Sequence, residues 1–174
     1  MENKPSLKPL VKLPESVPSA GFLEGDFGQE FLKEYEGRVK SDYDNNDNLR
    51  VLNYDSRAGV VTGSNTFVPV LANRILAQEG LRVATQADLE RAIKAEALQL
   101  IGHYEDTGLV LRGADAPNEY LAKDLVAQLK ARGEKPKFPA VFNLTDLELV
   151  ADNDSPYKLA FKLTDGATPI YAPV

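Results

Sequence analysis

Cysteine is missing from this 174-residue chain, and histidine occurs once, at position 103. Without a thiol there can be no disulfide, no thiolate nucleophile and no thiolate zinc or iron–sulfur site. With a single imidazole, a metal centre needing two histidines from one chain is excluded as well. Several motifs are also missing. There is no G-x-S-x-G elbow, no S-x-x-K with its companion motifs, no P-loop ending in Gly-Lys-Ser/Thr, and no G-x-G-x-x-G behind a strand. No stretch approaches the roughly 18 apolar residues that a membrane span needs. What remains is carboxylate, hydroxyl, lysine and backbone chemistry, with at most one imidazole. No cofactor is implied.

The composition is 43% hydrophobic and 26% charged, which is that of an ordinary globular protein. A chain of this length forms one domain and can bury a core large enough to need no disulfide staple. The lack of cysteine therefore does not decide the compartment. The first residues carry no apolar run of the signal-peptide kind, so the cytoplasm is the expected location. A net charge of −6 with scattered lysine and arginine disfavours nucleic acid as a partner, because tracking phosphates requires clustered cations. No association with a membrane is expected either.

Residues 1–21 stand apart from the rest. Pro5, Pro9, Pro14 and Pro18 recur every four or five residues, forbidding a regular helix and favouring extended backbone. Leu7, Leu10, Val11 and Leu13 lie between them, together with Lys4, Lys8 and Lys12. The segment reads either as a tail or as an arm that docks across its own domain or a neighbouring subunit. Residues 22–174 read as a single globular domain.

Within that domain the periodicity predicts an α+β fold. About four helices, including an αα-hairpin over 66–101, would pack on an antiparallel sheet weighted to the C-terminal third. The first helix is expected over 26–40, capped by Asp26, with Phe27, Phe31 and Tyr35 on its buried face. A hairpin over 49–62 follows. The second helix opens at Ser64 or Thr66, carries Pro69 in its first turn and ends before Gly80. The third is opened by a Thr85/Asp88 capping box and runs to about Ile101, with Leu89, Ile93, Ala97 and Leu100 inward. A strand over 109–112 precedes a fourth helix, capped by Asp115 and ended by Gly133, with Leu121, Leu125 and Leu129 buried. From Ala140 onward the apolar period is two. Strands are expected at 141–144, 147–150, 159–163 and 170–172, the last two paired around Asp165-Gly166.

Three clusters could carry chemistry. His103, Glu105 and Asp106 lie between a helix end and a strand, where one carboxylate could orient the imidazole while another takes part in acid–base work. The plainer account places His103 at a helix C-terminus, meeting unpaired carbonyls. Gly63, Ser64 and Thr66, between a strand and a helix, could bind an anion on helix N–H groups. Asp42, Asp44 and Asn46 follow the first ligand positions of a calcium loop. However, Asp47 and Asn53 replace its turn glycine and bidentate glutamate, so a polar loop explains them as well.

The function these features favour is a non-enzymatic protein-binding or assembly module, with the N-terminal arm as a contact segment and self-association or a protein partner expected. The alternative is a small hydrolase or carboxylate-metal-dependent enzyme using His103, Glu105 and Asp106.

Overall fold

The computed structural model describes residues 21–98, 106–113 and 119–171. It is an α+β fold with four helices and seven short strands among these residues. The helices are α1 (Gly25–Asp42), α2 (Val68–Gln78), α3 (Gln86–Lys94) and α4 (Glu119–Ala131). The strands are β1 (Asn53–Asp55), β2 (Val60–Thr62), β3 (Gly108–Leu111), β4 (Ala140–Asn143), β5 (Leu147–Ala151), β6 (Leu159–Leu163) and β7 (Ile170–Tyr171). A 3-10 turn, Leu144–Asp146, joins β4 to β5.

All pairings are antiparallel, but they form three small sheets rather than one: β1-β2, β3-β4-β7 and β5-β6. The expected pairing of 159–163 with 170–172 is therefore wrong. β6 pairs with β5 and β7 with β4. The physical reason lies at residues 144–146, where a capping box between Asn143 and Asp146 turns the chain out of β4. Asn143 N–H donates to the Asp146 carboxylate at 3.0 Å, and beyond this turn β5 pairs with β6 in a separate sheet.

Helix α1 buries Gly28, Phe31, Tyr35 and Val39, a stripe of helical period. Phe27, assigned inward from the sequence, is 43% exposed. Asp26 lies in the first turn, where its charge suits the helix dipole, and not at the cap, which is Glu24. The Tyr35 hydroxyl donates to the carbonyl of buried Leu49 at 2.8 Å, tying α1 to the loop that follows it. That loop holds residues 47–51 in turns, so the first hairpin strand begins at Asn53 and not at Leu49.

Helix α2 is buried almost throughout and packs on α1, β5 and the 3-10 turn. Pro69 occupies its first turn as expected. At the far end, Gly80 N–H donates to Ala77 O at 3.1 Å and Leu81 N–H to Leu76 O at 3.0 Å. This is the double closure of a Schellman end. Helix α4 closes identically through Gly133 and Glu134, and buries Leu121, Leu125 and Leu129 together with Ala122 and Val126.

Helix α3 departs most from its sequence pattern. The Thr85/Asp88 capping box is present, but the helix ends at Lys94 instead of about Ile101. Glu96 adopts a left-handed φ of 57°, and Ala97 N–H returns to Ala92 O at 2.9 Å. Ile93 is 47% exposed, whereas Asp88 and Arg91 are buried. The inward face is set by an ion cluster. Asp88 accepts from both Arg82 and Arg91, and this charged edge turns inward in place of the aliphatic one. Leu100 and the expected continuation to Ile101 lie outside the described residues, as do Asp115 and Pro117.

One apolar core unites these elements. It runs from Phe31, Tyr35 and Leu49 through α2 to Leu125, Leu129, Phe142, Leu159 and Phe161. Phe67 stacks on Phe161 at 5.6 Å between ring centres, joining the start of α2 to β6.

Candidate functional site

The segment entering α2 contains the candidate anion-binding residues. Gly63 has a φ of +100°, and a β-carbon there would come within 2.2 Å of the Val51 carbonyl oxygen, so only glycine fits. The helix is opened by neither Ser64 nor Thr66. Asn65 Oδ1 accepts from the N–H groups of Phe67 and Val68 at 3.0 and 3.1 Å, and its amide donates to Asn48 O at 2.5 Å. Replacing Asn65 by alanine is expected to cost about 0.5–2 kcal/mol, the range for lost caps. Urea unfolding would measure it, and an unchanged midpoint would show the cap to be idle.

The Ser64 hydroxyl donates to the Asp106 carboxylate. The fold thus joins two residues that belong to separate candidate sites in the sequence. Both are exposed. A carboxylate already accepting from Ser64 places negative charge where an arriving anion would need that donor. His103 and Glu105 lie outside the described residues.

Asp42 and Asn46 are tied into the fold by side-chain bonds, whereas Asp44 is an exposed turn residue with a left-handed φ of 51°. Asp42 pairs with Arg38 at 3.6 Å and accepts from Ser41 at 2.9 Å. Asn46 donates to Tyr157 O at 2.9 Å, and its Oδ1 accepts from Asn48 N–H at 2.9 Å. Among the described residues, no three or more His, Asp or Glu side chains converge as a metal site would require.

Other polar contacts are also structural ties. Tyr120 donates to Asp152 at 2.8 Å. That hydrogen bond pushes the phenol up to about 12 and holds the Asp152 carboxyl below its usual range. Burial raises the Tyr43 phenol, which donates to Leu149 O at 2.9 Å.

Two shallow clefts are lined by described residues. One of about 240 Å³ lies between α2, β5 and the 3-10 turn, with Arg74 and Glu148 in its lining. The other, of about 470 Å³, is lined by Tyr35, Glu36, Lys40, Asn45, Arg50 and Asn53 among others. Neither is lined by Ser64, Thr66 or Asp106.

The three-stranded sheet carries a surface that the sequence reading missed. Register aligns Val110 with Val141 and Val141 with Ile170, so one β-branched aliphatic row crosses β3, β4 and β7. Side chains alternate along a strand. The opposite face therefore holds Leu109, Leu111, Ala140 and Phe142 against the core, and the row faces outward. Val110 is 55% and Ile170 53% exposed. The signal was present as alternation in each strand, but the strand order that lines the residues up was not.

Among the described residues, no helix is long and apolar enough to cross a membrane. Compared with protein-family models, with curated proteins and with solved structures, the chain matches none.

Proposed function

We propose that this chain is a non-enzymatic assembly module that binds a second copy of itself, with residues 1–20 as the contact segment. The observation that carries the reading, among the described residues, is the row on the outer face of the three-stranded sheet, in which exposed Val110 and Ile170 flank half-buried Val141. β-branched side chains aligned across three strands lose free energy to water until another apolar surface covers them. The row itself is small beside the roughly 800 Å² per partner of a stable interface. The aliphatic residues of the arm, Leu7, Leu10, Val11, Leu13 and Val17, supply the missing apolar area. Charge agrees with this pairing: the arm has more lysines than acids, whereas the whole chain is acidic. An enzymatic role for Asp106 has less support, because that carboxylate is exposed and already accepts from Ser64.

The test is light scattering on the eluting protein over a range of concentrations. The intact chain is expected to elute above its monomer mass of 19.1 kDa. Removing residues 1–20, or introducing Val110→Lys with Ile170→Lys, is expected to return it to monomer with the thermal transition retained. An intact chain that stays monomeric at every concentration overturns the reading.

A further inference from the structure

Taking from that reading only the arm as a contact segment, we infer that its proline-free run Leu10–Leu13 adds to the edge of β3 that no described strand covers, making β3 the second strand of a four-stranded sheet. Among the described residues β3 pairs only with β4, leaving its other edge without a strand. A free edge presents unpaired N–H and C=O groups, the chemistry that captures an extended peptide.

The two edges of this sheet are not alike. β7 is preceded by Pro169 and followed in sequence by Pro173, and proline cannot donate to a neighbouring strand. β3 reads Gly-Leu-Val-Leu, with neither proline nor charge to discourage pairing. Leu10-Val11-Lys12-Leu13 lies between Pro9 and Pro14 and matches the four residues of β3 in length. Prolines at both its ends would confine pairing to those residues. Once added, the new outer strand would be blunted just as β7 is.

The faces also agree. Alternation places Val11 and Leu13 on one side and Leu10 and Lys12 on the other. Lys12 cannot face the core uncompensated. Val11 and Leu13 therefore continue the inner face of Leu109 and Leu111. Leu10 extends the outer row of Val110, Val141 and Ile170.

Reach is sufficient. Leu23 O accepts from Val61 N–H at 2.8 Å, and Ser64, just beyond β2, is bonded to Asp106, just before β3. Following these contacts, Leu23 lies at most about 30 Å from the start of β3. The chain from Leu13 to Leu23 spans at most about 35 Å when extended.

Because the chain lacks cysteine, a pair of introduced thiols reports the pairing cleanly. Val110→Cys would be combined in turn with Leu10→Cys and Lys12→Cys, and as a control Lys12→Cys with Glu34→Cys on the exposed side of α1. Under mild oxidation the arm–β3 pairs are expected to cross-link at least ten-fold faster than the control. Bonds joining two chains support both the strand addition and the assembly reading. Bonds within one chain support the strand addition and overturn assembly. Rates equal to the control overturn the strand addition. Hydrogen exchange gives a second readout: deleting residues 1–20 should accelerate amide exchange in β3 at least ten-fold, and unchanged β3 rates would overturn the proposal.

Discussion

Asp88→Asn is expected to destabilise the fold by about 3–5 kcal/mol, the range for removing one partner of a buried ion pair. The Asp88 carboxylate is 10% exposed and the Arg91 side chain 8%. Arg91 donates to Asp88 Oδ1 at 2.8 Å, and Arg82 reaches both carboxylate oxygens. Asparagine keeps an oxygen for the Thr85 N–H that caps α3. It removes the charge, however, and leaves a buried guanidinium beside a neutral amide. Arg82 is 48% exposed, so Arg82→Ala should cost less than about 1 kcal/mol, as exposed pairs do. A chemical-denaturation series on the two variants separates them, and equal losses would show that the buried pair has no special weight.

The same cluster makes a pH prediction. Burial would raise the Asp88 carboxyl, but the Thr85 N–H and the Arg82 guanidinium outweigh it and hold the group below its usual range. A carboxyl lowered by folding contributes stability that is fully present above its unfolded value, about pH 4. That contribution is lost as the pH falls through the folded value. The gap between the native chain and Asp88→Asn should therefore be constant near neutrality and shrink in acid.

This cluster also shows where the sequence misleads. The capping box was legible, because Thr85 and Asp88 stand at the right spacing for it. The inward face of α3 was not. Leu89 and Ile93 form a better apolar pattern than Asp88 and Arg91, yet Ile93 is the exposed one. Two arginines converging on one aspartate involve Arg82, which lies before the helix, and a periodicity count within the helix cannot register it. Helices α2 and α4 were legible for the opposite reason: their apolar periods, the first-turn proline of α2 and the following glycines all agree. Strand positions from Ala140 onward were readable from alternation, whereas partners were not. Alternation fixes which side chains share a face but not which strand lies beside which. The candidate site suffered from this limit. Ser64 and Asp106 are 42 positions apart and meet, and Val110, Val141 and Ile170 form a row only once β4 lies between β3 and β7.

Phe142→Ala is expected to cost about 3–5 kcal/mol, the usual range for truncating a buried phenylalanine. Phe142 is 0% exposed and sits on β4, the one strand that holds both β3 and β7. Its side chain faces inward opposite Leu109. On the same strand its carbonyl oxygen would lie 2.6 Å from a β-carbon at Gly108, so β3 is seated tightly against β4 at this point. Removing the ring leaves a cavity that so close a pairing cannot collapse to fill. For a domain of this size the loss corresponds to a fall of roughly 10 °C in Tm. Phe142→Leu, which keeps most of the volume, should cost no more than about 1.5 kcal/mol. Val110→Ala, on the outer face of the same sheet, should stay within about 0.5 kcal/mol in the monomer. Calorimetry on the three variants reads this order directly. If Val110→Ala proved as costly as Phe142→Ala in a chain lacking residues 1–20, the outer row would already be covered within the domain. The sheet could not then offer its outer face to a second copy.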